Sequence, residues 1–324
     1  MAAVTAVRQL ICIAPNPSID KTAEIERLVP GAIHRPDRLL AVPGGKGLNV
    51  ARAARHLGAE VIVVAPLAGH AGRWIDEELE RRGIPRVVVW VPGETRTCLS
   101  VLDRSTGTLS EFYEAGPTIP AADWAGFMRA VASTIAESPR DSVVALSGSL
   151  PPGVVEADVG EIVDAARRSG RQIVVDLGGL GLRAAVDASP DVVKVNAMEA
   201  ASVAEIEVSS EAAALSAAQR LVEFGAGQAV VTRGSAGAVA WDGATGCMVE
   251  PDGDAGPYLV GSGDAFLAGF AVSLMAGEAL PDRLRAGAGA AASNTEGIGA
   301  GEISRASADR HRSRIKVRPV RSRR

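Results

Sequence analysis

The segment Gln172–Asp176 reads QIVVD, an apolar run that ends in one carboxylate. Residues 61–65 (VIVVA) and 142–146 (SVVAL) have the same unbroken apolar character. A strand with one face in water alternates apolar and polar residues, whereas a strand covered on both faces does not. These runs therefore predict strands at the centre of a buried, mainly parallel sheet.

Outward from these runs, strand-like and helix-like segments alternate along the chain. Gly58 and Gly83 follow two helix-like segments, where left-handed C-terminal caps are expected. Such alternation predicts an α/β domain of three layers, with helices on both faces of the sheet. The predicted strands are residues 9–14, 61–65, 142–146, 172–176, 191–195, 228–232 and 237–241, and the predicted helices are residues 47–57, 73–82, 121–137, 156–168, 211–224, 262–275 and 282–293.

Two segments do not follow this alternation of strands and helices. Residues 22–42 lack a helical period, and residues 87–110 read as consecutive strands separated by turn residues. They are either loops or a small β-rich lid, made of segments about 15–43 and 87–113, that excludes water from a transfer reaction. We expect one domain over residues 1–324, and a homodimer in which two lids cover their exposed strand edges.

The composition restricts the class of protein. Hydrophobic residues make up 47% and aromatic residues 3% of the 324 residues, so Ala, Val, Leu and Ile must build the core. No stretch of about 18 uncharged apolar residues occurs, which argues against a membrane span. Cys12, Cys98 and Cys247 are widely spaced, and the His residues show no metal-ligand spacing. We expect a cytoplasmic protein with reduced, buried thiols and no zinc site.

The C-terminal residues 305–324 form a basic tail. They contain nine Lys or Arg residues and one acidic residue, Asp309. A basic tail can bind nucleic acid, but this one has no interleaved aromatic residues, and IKVRPV within it alternates like a short edge strand. We expect a solvated terminus and no nucleic-acid partner.

The segment 258–270, YLVGSGDAFLAGF, places a glycine-rich turn directly before an apolar helix. Gly261 and Gly263 let the backbone approach a ligand closely, and the helix N-terminus offers free N–H groups to an anion such as a phosphoryl group. Asp264 in the first helical turn is placed to accept a proton, while the amides of Gly261, Ser262, Gly263 and Asp264 stabilise charge. The alternative is an ordinary Ser/Asp helix cap after a glycine turn.

A second glycine-rich turn, PGGKGLNVARAARHLG at residues 43–58, also opens a helix. It is not a P-loop, because Lys46 is followed by Gly47 rather than by Ser or Thr. Lys46 and Asn49 supply polar contacts for a compact ligand. Asn16 and Asp20 follow the first strand, where α/β proteins place ligand groups, although an Asp beside a turn is often only an Asx cap.

Polar side chains also follow the strand-like run DVVKV. Lys194 suits a nucleotide phosphate, and Asn196 and Glu199 supply the oxygen ligands that Mg²⁺ or its waters prefer. The alternative is a helix start with surface charges. Gly179, Gly181 and Ala184 match a dinucleotide-binding pattern, but the strand before them lies in mid-chain, so we interpret them as a structural turn.

Taken together and in order, these motifs resemble the ribokinase/PfkB family of carbohydrate kinases, from about residue 10 to residue 303. The resemblance rests on APNPSID, PGGKGLNVARAARHLG, ETRTCLSVLD, SGSLPPGV, VVDLGG, KVNAMEA, VVTRGSAGAVA and VGSGDAFLAGF. The GGKGLNVAR turn, TRT and SGSLPPGV are similar to the branch of 1-phosphofructokinase, minor 6-phosphofructokinase and tagatose-6-phosphate kinase.

The resemblance implies a ribokinase-like fold and ATP-dependent phosphorylation of a sugar phosphate with Mg²⁺. It implies that Asp264 is the catalytic base and that the amides of residues 261–264 form an anion hole. By the same resemblance, the sugar is bound by Asp20, Gly44, Gly45 and Asn49, and the sugar phosphate is contacted by Lys46, Arg96 and Ser149. The resemblance also places Thr232, Gly234 and Gly237 along the nucleotide, where the residue pattern already puts Lys194. It links Asn196 and Glu199 to Mg²⁺, through water.

The sequence also departs from the family pattern. Val195 stands where the family commonly has Pro, Ser262 where it has Ala, Gly178 where it has Ser, and Leu259 where it has Thr. These changes leave the base in place but point to a divergent member. Three alternatives stay open: a kinase of an unphosphorylated sugar or nucleoside, a non-catalytic sugar- or nucleotide-binding regulator, and a nucleic-acid-associated role through the basic tail.

Overall fold

The computed structural model describes residues 8–250, 253 and 256–320. Its strands are β1 Gln9–Ile13, β2 Ser18–Ile25, β3 Arg38–Gly44, β4 Glu60–Leu67, β5 Arg86–Trp90, β6 Arg96–Asp103, β7 Thr108–Tyr113, β8 Val143–Ser147, β9 Gln172–Asp176, β10 Val192–Asn196, β11 Gln228–Thr232, β12 Ala238–Trp241, β13 Gly246–Val249 and β14 Val317–Val320. Its helices are α1 Lys46–His56, α2 Gly69–Arg81, α3 Ala121–Glu137, α4 Glu156–Arg168, α5 Gly179–Asp187, α6 Ala197–Ala204, α7 Glu211–Glu223, α8 Ser262–Met275, α9 Leu280–Thr295 and α10 Arg305–Arg314, with a 3₁₀ turn at Gly234–Ala236.

Ten strands form one large sheet in the order β14-β13-β12-β11-β10-β9-β8-β1-β4-β5. The pairs from β5 to β11 are parallel, and β12, β13 and β14 continue the sheet in antiparallel fashion. Along β1, Leu10 and Cys12 pack into one apolar core, and Ile11 and Ile13 pack into a second core on the opposite face. The predicted three-layer α/β fold is therefore confirmed.

A separate small sheet has the order β3-β2-β6-β7. Strand β2 pairs antiparallel with β3 and parallel with β6, while β7 pairs antiparallel with β6. Both segments that depart from the alternation of strands and helices, residues 22–42 and 87–110, contribute strands to this sheet. The sheet carries Asp20 in β2 and Arg96 in β6, so it brings two of the predicted ligand residues to one side of the large sheet.

The run VVVWV at residues 87–91, the first part of the predicted lid segment 87–113, does not belong to this small sheet, so that part of the prediction is wrong. It forms β5, the edge strand of the large sheet, where Val88 pairs with Ala65 of β4 in parallel register. The crossover between β4 and β5 is α2, which begins four residues before the predicted start at residue 73. Glu94 accepts a hydrogen bond from the backbone N–H of Ala71 and so stabilises that extra turn from outside the helix.

Three helices, α5, α6 and α10, were not predicted. The Gly179–Ala184 segment, interpreted as a structural turn, lies in α5, whose Leu182, Ala185 and Val186 are buried against the large sheet. The predicted helix start at the Asn196–Glu199 pair is real, and it opens the short helix α6. Helices α5 and α6 are too short for a 3.6-residue period to stand out in the sequence.

The expectation of a solvated C-terminal tail is wrong for the part that the structure describes. Residues 305–314 form α10, whose Ser307 and Ala308 are buried, and β14 is the antiparallel edge strand of the large sheet. Basic side chains of this region pair with acidic residues of the domain, because Arg310 lies 2.9 Å from Glu296 and Arg312 lies 2.8 Å from Glu278. The tail residues Arg321, Arg323 and Arg324 lie outside the described residues.

The three cysteines at positions 12, 98 and 247 are free and buried. Within the described residues, none of the helices has the length and apolar character needed to cross a bilayer.

Candidate active site

Asp264 lies in the first turn of α8, at the end of the GSGD segment 261–264, which we call the anion turn. Gly261 has a φ of 79°, and a Cβ at this position would lie 2.7 Å from Cα of Ala300. Only glycine therefore fits without displacing the neighbouring loop. Among the described residues, the amides of Gly263 and Asp264 donate to no backbone acceptor. A helix N-terminus with free amides is suited to binding an anion.

One amide group joins Asp264 to a second carboxylate. Nδ2 of Asn49, in α1, donates to Oδ2 of Asp264 at 2.9 Å and to Oδ2 of Asp20 at 3.2 Å. Asp264 and Asp20 come from opposite ends of the chain, and Asn49 is 3% exposed. The structure thus brings the predicted base and a predicted sugar ligand to two sides of the same nitrogen.

The glycine-rich turn before α1 holds Asp20 in place. Asp20 accepts hydrogen bonds from the Ser18 hydroxyl at 2.6 Å and from the backbone N–H of Gly45 at 3.1 Å. A Cβ on Gly44 would lie 2.0 Å from Cγ of Asp20. Any side chain at position 44 would therefore displace this carboxylate, and that is the physical reason for the first glycine of the turn.

Two lysines meet on a third carboxylate, Asp176, at the end of β9. Nζ of Lys46 donates to Oδ1 of Asp176 at 2.8 Å, and Nζ of Lys194 donates to Oδ2. Lys46 also donates to Oε1 of Glu199 at 3.1 Å. A Cβ on Gly263 would lie 3.0 Å from Nζ of Lys194, so this ammonium group lies beside the anion turn. Two cations and free amides are therefore available to the same phosphate groups.

The pKa values of Asp264 and Asp176 are shifted in opposite directions. Burial, reinforced by the negative charge of Asp176, raises the pKa of Asp264 to about 7 despite the opposing effects of Lys46, Asn49 and Lys194. Burial also acts to raise the pKa of Asp176, but the charges and hydrogen bonds of Lys194 and Lys46 outweigh it, and the net pKa is lowered. Burial favours neutral Lys46, but its three neighbouring carboxylates prevail and raise its pKa.

Asn196 and Glu199 form a capping box at the start of α6. Oδ1 of Asn196 accepts from the backbone N–H of Glu199 at 2.9 Å, and Oε2 of Glu199 accepts from the backbone N–H of Asn196 at 2.8 Å. Both oxygens of Glu199 are therefore engaged, one by this cap and one by Lys46. The pair therefore caps a helix, which is the helix start that the sequence analysis gives as the alternative to metal binding.

The predicted nucleotide residues lie at the neighbouring strand end. Thr232 is the register partner of Asn196, and its hydroxyl donates to the carbonyl of Val195 at 3.2 Å. Gly234 and Gly237 flank the 3₁₀ turn with φ angles of 55° and 85°. Within the described part of the chain, no hydrogen bond connects these three residues to Asp264 or to its partners.

Arg96 and Ser149 meet around Asn16, to one side of the lysines. Arg96 donates from Nη2 to the carbonyl of Asn16 at 3.0 Å and from Nη1 to the carbonyl of Glu114 at 3.1 Å. Nδ2 of Asn16 lies 3.1 Å from Oγ of Ser149. Nε of Arg96 is buried and has no hydrogen-bond partner among the described residues. Because a guanidinium has five N–H groups, this side chain retains donors for a further acceptor.

The site also contains residues that the sequence analysis did not select. Asp176 was used only to mark the end of a strand, although a carboxylate closing a buried parallel strand is itself a signal of a ligand site. Asn294 donates to the carbonyl of Val260 at 2.8 Å and accepts from the N–H of Gly301 at 2.8 Å, so it supports the anion turn. Arg52 binds Oδ1 of Asn49 at 2.9 Å. The long chain separations leave no local signal for Asn294.

Comparisons with known proteins give the family of the chain. The family model described as pfkB family carbohydrate kinase matches residues 14–306. The chain is 32% identical over 288 residues to a 1-phosphofructokinase of Haloferax volcanii, which covers 86% of this chain and 88% of the relative. It is 29% identical over 211 residues to a tagatose-6-phosphate kinase of Staphylococcus epidermidis, covering 64% and 66% of the two chains.

Solved structures show the same likeness. Phosphofructokinase-2 from Escherichia coli in complex with fructose-6-phosphate superimposes with a TM-score of 0.85 at 26% identity, covering 95% of this chain and 98% of the other. The likeness extends over nearly the whole three-layer fold. The chain belongs to the pfkB family of carbohydrate kinases.

Proposed function

We propose that the protein transfers the γ-phosphoryl group of ATP to a hydroxyl group of a sugar phosphate, with Asp264 as the general base. The observation that carries this proposal is the shared amide of Asn49, which places Asp264 next to the sugar-binding candidate Asp20. A base must lie beside the hydroxyl that it deprotonates, and the hydroxyl must be oriented by a second group.

The environment of Asp264 suits proton abstraction near neutral pH. With a pKa raised to about 7 by burial and by Asp176, this carboxylate is a stronger base than an ordinary aspartate and is still ionised in a large fraction of molecules. It accepts the proton as the hydroxyl oxygen forms its bond to the γ-phosphorus. The bond from that phosphorus to the bridging oxygen breaks, and ADP leaves.

The anion turn and the lysines stabilise the transferred group. The free amides of Gly263 and Asp264 face the position of the γ-phosphoryl group in this proposal, and Lys194 lies beside them. Lys46 and Lys194 are held on Asp176, and a polyphosphate competes with that carboxylate for them. Catalysis of this kind depends on positioning and electrostatic stabilisation more than on covalent chemistry.

Mg²⁺ fits this site as an ion carried by the nucleotide. Among the described residues, no three His, Cys, Asp or Glu side chains are grouped to hold a metal by themselves. Both Glu199 oxygens already accept a hydrogen bond, but each keeps a second lone pair, so Glu199 with Asn196 beside it would contact such an ion only through its waters. When bound, the ion neutralises charge on the phosphate oxygens.

Arg96 supports a phosphorylated acceptor. Its guanidinium is held by two backbone carbonyls and keeps unused donors, including the buried Nε, close to Ser149 and Asn16. A rigid, planar set of donors is suited to a phosphate group. The same two carbonyl contacts favour a second candidate, a kinase of a neutral sugar or nucleoside, in which Arg96 only braces the loop after β7 against the loop between β1 and β2.

The test is ADP release with Mg-ATP across fructose 1-phosphate, fructose 6-phosphate, tagatose 6-phosphate, fructose, ribose and adenosine. We expect turnover with a phosphosugar, and Arg96→Ala to raise its KM with a smaller effect on the KM for ATP. Turnover confined to neutral acceptors, with their KM unchanged in Arg96→Ala, would establish the second candidate. No turnover with any sugar would leave the regulator alternative.

We propose that the small sheet is a lid and that it also forms the dimerisation surface. Cross-strand partners share a face of a sheet, so Asp20 and Cys98 lie on one face and Leu39, Val101 and Phe112 on the other. Leu39 is 61% and Phe112 is 60% exposed, which leaves an apolar face opposite the sugar ligand. We expect a second copy of the chain to cover it.

Sedimentation velocity tests the dimer. We expect the wild type to sediment as a dimer and the double variant Leu39→Glu, Phe112→Glu as a folded monomer. A monomeric wild type at working concentration would remove this part of the proposal.

A further inference from the structure

Arg52 is a buried cation behind the active site. It lies in α1, is 1% exposed and is among the largest fully buried side chains of the described structure. Nη2 of Arg52 donates to Oδ1 of Asn49 at 2.9 Å and to the carbonyl of Ala300. Nε lies 3.3 Å from Oε1 of Glu302, which also binds Arg82 and His56.

This burial is unfavourable for the arginine itself. Burial lowers the pKa of Arg52 to about 10, although Glu302, Asp20 and Asp264 oppose the shift. Among the described residues, Nε and Nη1 find no hydrogen-bond partner of good geometry. An apolar side chain of similar volume often replaces a buried charge at no loss of stability. The contact of Arg52 with Asn49 therefore calls for a reason other than packing.

That reason is the orientation of the Asn49 amide. An arginine only donates hydrogen bonds, so the Asn49 oxygen must face Arg52. The Asn49 nitrogen must then face the opposite side, where Asp20 and Asp264 lie 3.2 and 2.9 Å away. Without Arg52 the amide loses the donor that holds its oxygen. The turned-over amide, which would place its oxygen against two carboxylates and favour a proton on one of them, then becomes more accessible.

We propose that Arg52 is a positioning residue that fixes the Asn49 amide so that its nitrogen serves Asp20 and Asp264 together. The inference rests on the proposed function, because it explains how the base and the sugar ligand are kept in register. The groups that face Asp264 are Asp176 from β9, Lys46, Asn49 and Arg52 from α1, and Lys194 from β10. Loss of Arg52 leaves all the others in place.

The first experiment compares Arg52→Met with the matched control Arg82→Met. Both variants remove one cation that pairs with Glu302, but only Arg52 touches Asn49. The Asp264 carboxyl is followed by NMR in protein labelled with ¹³C at aspartate Cγ, and its signal is identified by its absence from Asp264→Asn. We expect the titration midpoint to rise by about one pH unit in Arg52→Met, a tenfold change in proton affinity, and to stay at the wild-type value in Arg82→Met.

Two further variants separate orientation from folding. Lysine only donates, whereas glutamine is neutral and can accept from the Asn49 nitrogen. We therefore expect the Asp264 midpoint of Arg52→Lys to lie near that of the wild type. The Asp264 midpoint of Arg52→Gln should lie near that of Arg52→Met. The inference would be overturned if the Asp264 midpoint were the same in Arg52→Gln and Arg52→Lys. It would also be overturned if Arg52→Met folded and kept the wild-type midpoint.

Kinetics give an independent reading. We expect Arg52→Gln to raise the sugar KM and lower kcat, leave the KM for ATP unchanged and move the acid limb of kcat/KM to higher pH. Absence of turnover in the wild type would count against the proposed function alone, because the NMR titration needs no substrate.

Discussion

The regions around Asp264 and Asp176 contain similar carboxylates in opposite electrostatic settings. Both carboxylates are buried, and both lie close to Lys46 and Lys194. Asp176 accepts directly from the two ammonium groups, and its pKa is lowered. Asp264 accepts from the neutral amide of Asn49, and burial together with the Asp176 charge raises its pKa to about 7.

This difference separates two roles. A carboxylate whose pKa is held low by two cations stays ionised and works as an anchor, here for Lys46 and Lys194. A carboxylate whose pKa is raised toward neutrality can exchange a proton during turnover. The direct partners, two ammonium groups for Asp176 and a neutral amide for Asp264, rather than burial as such, distinguish the two carboxylates.

Replacing the base should have the largest effect. Asp264→Asn keeps the shape of the side chain and removes the proton acceptor, so we expect kcat to fall by about 10²–10⁴-fold. ATP affinity, measured by calorimetry, should be unchanged because the lysines and Asp176 remain. Normal turnover in this variant would show that another group accepts the proton.

Replacing the anchor should affect stability more than proton transfer. Asp176→Asn leaves the buried Lys194 ammonium without its carboxylate, which should cost about 3–5 kcal/mol in urea unfolding at pH 7. Because the pKa of Asp176 is lowered, its contribution is present above the ordinary aspartate pKa and is lost as the pH falls through the folded value.

Asp187→Asn is the matched control for this prediction. Asp187 pairs with Arg183 on the surface, where both side chains are more than half exposed, so the loss should stay below about 1 kcal/mol. Equal losses in Asp176→Asn and Asp187→Asn would contradict the anchor role.

A smaller effect is expected at the sugar side of the shared amide. Gly44→Ala places a methyl group on Asp20 and should raise the sugar KM about tenfold or more, which corresponds to 1.4 kcal/mol, with little change in the KM for ATP. Gly160→Ala is the control, since a Cβ there meets only Ala188 at 3.9 Å. Equal KM values in both variants would mean that Asp20 does not contact the sugar.

The smallest effect is expected at Ser262. Its hydroxyl accepts a hydrogen bond from Asn294 at 3.2 Å, but the glycines and the acid of the turn do not depend on it. Ser262→Ala should change kcat/KM by less than about threefold, in line with the net contribution of one neutral hydrogen bond. A larger loss would assign the hydroxyl a direct part in phosphate binding.

The sequence predicts the large sheet well because its strands are unbroken apolar runs and its helices are long. It fails where a remote residue decides the local structure. Strand β5 was assigned to the small sheet because its pairing with β4 depends on a crossover helix that Glu94 extends. Helix α10 was taken for a tail because its ion-pair partners, Glu278 and Glu296, lie just before and just after α9.

The site shows the same division. Asp264, Lys46 and Asn49 are recognisable because each lies in a glycine-rich turn that opens a helix. Their mutual contacts are not, because Asn49 and Asp264 are 215 residues apart. The roles of Asp176 and Arg52 follow only from the atoms that they touch, so the sequence could name the members of the site but not its anchor or its positioning residue.

The most direct test is the pH dependence of kcat/KM for the phosphosugar in the wild type and in Asp176→Asn. We predict an acid limb near pH 7 in the wild type, which moves to lower pH in the variant because a negative charge beside Asp264 is lost. Substrate phosphates also titrate near pH 6, but identically for both proteins. An acid limb at the same pH in both would contradict the account of Asp264 as a base tuned by Asp176.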